Sequence, residues 1–166
     1  MYIMRNGFKI IICALIVLCV VLIIAVSQSQ SFRVDRLNYI VSDTGDAYVI
    51  ANYKLTFVEK VWLLFPMTKD GITRAIKTEY GEDAVVILIS DTNTKFTIPK
   101  FADKYDTYIQ TPFLTFENVK KRTNDIWFMR CLNIDYSPTL TNMIFHNGEI
   151  HTYNEAMSIP AITVKF

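Results

Sequence analysis

The chain predicts an α+β domain, an antiparallel-rich sheet packed by two helices, carried behind an N-terminal transmembrane helix; a β-sandwich with peripheral helices is the alternative. Three observations lead there. One unbroken apolar run fills residues 10–26, period-two apolar alternation recurs in short segments bounded by Gly, Pro, Asn and Asp, and two stretches carry helical spacing behind a capping threonine. The order strands, helix, strands, helix, strands, joined mostly by short turns, favours helices segregated onto an antiparallel sheet.

The first element is the run IIICALIVLCVVLIIAV, residues 10–26, which holds no charged, polar, Gly or Pro residue. At 1.5 Å per residue it is about 25 Å long, enough to cross a bilayer as one helix. It is longer than the apolar region of a cleavable signal, roughly 7–15 residues, so an uncleaved signal-anchor is expected. Residues 1–9 are then a cytoplasmic tail, 10–26 a single-pass helix in the cell membrane, 27–31 (SQSQS) a linker, and 32–166 an extracytoplasmic α+β domain facing the cell envelope. Cys13 and Cys19 lie in the apolar run, which leaves Cys131 alone in the domain with no partner for an intrachain disulfide.

Within the domain, FRVDRLNYIV alternates and is followed by the turn residues SDTGD and by AYVIANYKLTFV, the pattern of a hairpin. VWLLF predicts a third strand that Pro66 stops. Thr68 is placed to cap a helix over residues 69–80, whose Ile72, Ala75, Ile76 and Tyr80 share a face and whose end is marked by Gly81. AVVILI predicts a central strand paired to KFTI, and TYIQTPFLTF is extended because Pro112 disfavours helix before it. Thr115 is placed to cap a second helix that presents Phe116, Val119, Ile126 and Trp127 to the sheet. After Pro138 comes a hairpin, LTNMIFHNGEIHTY, and AITVKF adds a last strand.

Charge excludes one class of function. Lys and Arg total 17 against 16 Asp and Glu, and the one dense basic run is Lys120, Lys121 and Arg122, so there is no basic face for nucleic acid. Glycine-rich phosphate loops, paired-cysteine zinc patterns, a Gly-x-Ser-x-Gly elbow and acidic calcium loops are all missing from the sequence, and no cofactor is implied.

One constellation merits testing as a metal site. If Asn147 and Gly148 form a two-residue type I′ turn, Phe145 stands opposite Ile150 and faces the core with it, while His146, Glu149 and His151 share the opposite, solvated face with Asn142 and Tyr153. Two imidazoles and a carboxylate suit zinc or ferrous iron, yet a wet hairpin face is also where such side chains belong, and no metal is assigned there. Trp62 and Trp127 are the aromatic residues placed to stack on a ligand, with core packing as the competing role.

The stretches IPKFADKYDTYIQTPFLTF, DIWF, YSPTLTNMIFHNG and SIPAI resemble an uncharacterised family of single-span envelope proteins of methanogenic archaea. The resemblance carries no activity or site and implies an anchored, outward-facing domain. The expected role is structural or interactive, with the lipid bilayer met through the N-terminal helix and an envelope protein or glycan as partner. An envelope hydrolase, metal-dependent and using the terminal hairpin, is the alternative.

Overall fold

The computed structural model describes residues 32–116, 134–135 and 138–165. In chain order the elements are β1 (Phe32–Val41), β2 (Ala47–Tyr53), α1 (Phe57–Leu63), α2 (Pro66–Tyr80), β3 (Val85–Ile89), β4 (Asn93–Ile98), β5 (Asp103–Lys104), β6 (Tyr108–Gln110), β7 (Leu114–Thr115), β8 (Ile134–Asp135), β9 (Leu140–Phe145), β10 (Ile150–Asn154), β11 (Ser158–Ile159) and β12 (Thr163–Lys165).

Seven strands form one sheet in the order β10-β9-β1-β2-β4-β3, with β8 beside the start of β1. The sheet is mixed: β1 is antiparallel to β2 but parallel to β9 and β8. Alternation sends Leu37, Tyr39 and Val41, then Ala47 and Val49, then Phe96 and Ile98, and Met143 and Phe145 to one face, where all are buried. That face shares a single core with Ile109, Ile159 and Val164 from the two small sheets, β12-β6-β5 and β11-β7, and with Ile76 and Tyr80 of α2.

The turn between β1 and β2 is tied to the β4–β5 connection. Gly45 adopts φ +89°, and a Cβ there would sit 2.4 Å from the carbonyl oxygen of Ala102, whose own N–H donates to Gly45 O at 2.8 Å. Only glycine meets both demands. Asp46 accepts from the Lys100 backbone N–H at 2.9 Å and from the Thr44 hydroxyl at 2.9 Å. The Lys100 bond, followed by the Thr44 bond, holds its carboxyl below the ordinary aspartate value.

The predicted fold class is corrected in three respects. Among the described residues strand is 45% and helix 19%, so the fold they form is mostly sheet. The segment VWLLF is not a third strand but part of α1, because Thr56 and Glu59 form a capping box: the Glu59 N–H donates to Thr56 Oγ1, and the Thr56 N–H donates to Glu59 Oε2 at 2.6 Å. Pro66 does not end a strand; it occupies the first turn of α2, where its missing N–H costs nothing, and Thr68 lies inside that helix rather than at its cap. The two described helices are therefore consecutive. The helix expected after Thr115 lies outside the described residues apart from Thr115 itself, which belongs to β7, and Phe116.

The membrane reading is also withdrawn. Residues 10–26 lie outside the described residues, and among the described residues no helix is long and apolar enough to cross a membrane. At 1.5 Å per residue, α1 and α2 reach about 10 Å and 22 Å against a hydrocarbon core of about 30 Å. Moreover, α2 carries Lys69, Asp70, Arg74, Lys77 and Glu79. The transmembrane, signal-anchor and cell-membrane assignments fall with it.

Candidate functional site

A shallow, open groove of ≈ 550 Å³ lies between α2 and β3. Its floor is the segment 84–89 and its wall is Lys69, Thr73 and Lys77. These three recur every fourth residue, so they form one stripe along the helix.

The wall is fixed at both ends. Pro66 starts α2, and Gly81, at φ +105°, stops it with its N–H donating to Lys77 O at 2.8 Å. Near the stop, Tyr80 reaches into the core: its hydroxyl meets that of Tyr39 at 2.7 Å, and its ring lies 5.5 Å from that of Phe96. Burial lifts the Tyr39 hydroxyl well above the ordinary tyrosine value, helped by the neighbouring Tyr80. Burial pushes Tyr80 up to about 12, against the lowering effect of its bond to Tyr39. Because a short turn joins Tyr80 to Val85, helix and strand run in opposite directions. Lys77 therefore lies toward the start of β3 and Lys69 toward its end.

The floor differs from the central strand that the sequence predicts. Among the described residues β3 pairs with β4 alone and closes one side of the sheet. In a strand paired on one side, alternate N–H and C=O groups point away from the neighbour. A bulge between Val86 and Leu88 shifts the alternation, so that Val86 packs against the core while Val85, Ile87 and Leu88 stay 56%, 57% and 41% exposed. The strand itself carries no charge or proline of the kind that commonly blunts an edge. Beyond its end, Asp91 pairs with Lys60 of α1 at 3.3 Å. Lys69 and Lys77 form no ion pair among the described residues.

Of the three hairpin residues, Glu149 and His151 come together, while His146 lies in the exposed loop. The Phe145 N–H donates to Glu149 O, and the Gly148 N–H to Phe145 O, both at 2.9 Å, which closes a three-residue loop over 146–148. Gly148 is left-handed at φ +86°, whereas Asn147 is not among the residues of positive φ, so the type I′ turn is excluded. Every pair moves by one: Ile150 stands opposite Ile144 and His151 opposite Met143. A one-residue slip exchanges the faces. His151 consequently lies on the core side, edge-on to Phe145 at 5.8 Å and bonded through Nε2 to Glu149 Oε1 at 2.6 Å, while Ile150 faces solvent. His146 stays in the exposed loop. No group of three His, Cys, Asp or Glu side chains that could hold a metal occurs among the described residues.

Trp62 is partly buried on α1, its ring 5.8 Å from that of Phe65. Trp127, Cys131 and the run Lys120, Lys121 and Arg122 lie outside the described residues. Sequence reasoning did not single out Lys69, Thr73 and Lys77. Their four-residue spacing and the uncharged run from Ala84 to Ser90 were the available signals.

No protein-family model, curated protein or solved structure matches the chain. The likeness to archaeal envelope proteins thus stands on the quoted stretches alone.

Proposed function

We propose that this chain is a protein-binding module that accepts an extended segment of a partner along β3. The observation that carries this reading is the side of β3 left unpaired among the described residues, with Val85, Ile87 and Leu88 exposed beside a helical wall. Backbone groups on such a strand supply main-chain hydrogen bonds, and the flanking groove selects side chains. A peptide suits the groove better than a glycan, because its lining has aliphatic and cationic groups but no aromatic ring on which a sugar could stack. The hydrolase reading has less support: Glu149 and His151 are bonded to each other, but no third His, Cys, Asp or Glu side chain among the described residues joins them in a metal-binding group.

The test is a displayed random-peptide selection on the full chain and on an Ile87→Lys, Leu88→Lys variant. Both side chains are exposed, so the variant is expected to melt within a few degrees of the parent. The parent should enrich a peptide family that the variant does not. Equal enrichment by both, or none by the parent, defeats the reading.

A further inference from the structure

We infer that the segment taken up by β3 is acidic, with carboxylates at positions i and i+4 and apolar residues at i+1 and i+3. This rests on the reading of β3 as a docking strand.

The wall supplies the charge. Lys69 and Lys77 are eight residues apart on α2, about 12 Å along the axis. An added strand advances about 3.4 Å per residue, so two side chains four residues apart on one face are separated by nearly the same distance. Residues i, i+2 and i+4 of the guest face the wall. Two of them meet the ammonium groups, and the middle one meets Thr73. Alternation directs i+1 and i+3 to the other side of the sheet, beside Val85 and Leu88, which are opposite Thr97 and Lys95 of β4 and half exposed.

Charge also argues against a second copy of this chain as the occupant. Antiparallel pairing of two β3 strands would bring the Glu82 and Asp83 end of one toward the Asp91 end of the other. It would also set two lysine walls along one seam. An acidic guest meets opposite charge along the wall.

Fluorescence polarisation on the full chain tests this with a labelled twelve-residue peptide whose centre reads Glu-Ile-Thr-Val-Glu. Three control peptides carry glutamine at both acidic positions, lysine at both, or N-methyl groups on alternate backbone nitrogens. The acidic peptide should bind, and the glutamine peptide should bind at least tenfold more weakly. A Lys69→Glu, Lys77→Glu variant should lose the acidic peptide and gain the lysine one. Loss of binding on N-methylation tests strand addition separately. If the glutamine peptide binds as tightly as the acidic one while N-methylation abolishes both, the charge inference fails and the docking strand survives. If N-methylation changes nothing, strand addition itself fails. If no peptide binds, the acidic motif is refuted, and the display selection decides the docking strand independently.

Discussion

The hydroxyls of Tyr39 and Tyr80 meet at 2.7 Å, joining a central strand of the large sheet, β1, to the last turn of α2. Tyr39 is fully buried and also stacks on Phe101 at 5.3 Å, so it is a fixed point from which Tyr80 positions the helix. Lys77 lies one turn earlier, which makes this bond a determinant of where the lysine wall stands over β3.

Stability should fall in alkali because of this pair. An unfolded tyrosine loses its proton near pH 10. Folded Tyr80 holds its proton to about 12, and Tyr39 is raised as well. A raised folded value contributes stability that is complete below about pH 10 and is lost as pH climbs through the folded value. Urea unfolding should give a constant free energy from pH 8 to 9.5 and a decline above pH 10. Tyr80→Phe should flatten that decline and, by leaving the Tyr39 hydroxyl buried without its partner, cost roughly 1–3 kcal/mol at pH 8. An unchanged slope in the variant would place the alkaline transition elsewhere.

Gly45→Ala should cost about 3 kcal/mol or more. The new methyl meets the Ala102 carbonyl at 2.4 Å, a backbone atom that cannot swing aside, and φ +89° is unfavourable for any side chain. Gly148→Ala makes a useful control: it has a similar φ but nothing within 4 Å of the added carbon. It should cost less than Gly45→Ala in the same urea titration. Equal losses would show that the close approach contributes nothing.

Thr56→Ala removes one half of the capping box of α1 and leaves the buried Glu59 carboxylate without the hydroxyl that donates to it at 2.9 Å. A loss of about 1–2 kcal/mol is expected, the ordinary range for a cap. Thr56→Ser should restore most of it.

The hairpin register has a paired test. His151→Ala removes a half-buried ring that lies against Phe145 and should cost about 1 kcal/mol, whereas Ile150→Lys, on the solvent side, should stay within about 0.5 kcal/mol of the parent. The two-residue turn would predict the reverse ranking.

Local signals made much of the large sheet legible. The alternation through Leu37, Tyr39 and Val41, the turn at Gly45, the helix stop at Gly81 and the existence of the last hairpin all follow from spacing and turn chemistry. The register did not, because Asn147-Gly148 serves both a two-residue loop and a three-residue loop with left-handed Gly148, and the two differ by one step along the strand. The T-x-x-E spacing of Thr56 and Glu59 is present in the sequence, but the strand reading of VWLLF rests on the apolar run alone. The candidate groove was least visible. AVVILI reads the same in a central strand as in an outer one, and its place in the sheet is decided by pairings far away in sequence.

The parallel pairing of β1 with β9 joins residues 36–41 to residues 140–145. On a ribosome, the partner for that side of β1 is not yet made when β2, β3 and β4 are already available. The nascent chain therefore holds β1 as an outer strand, with Leu37, Tyr39 and Val41 partly uncovered, until residues 140–145 emerge. Late closure of this kind makes folding slow and sensitive to premature termination. A chain released before residue 140 would offer β1 and β3 as adhesive margins, where the finished sheet, among the described residues, offers β3 and the more polar β10.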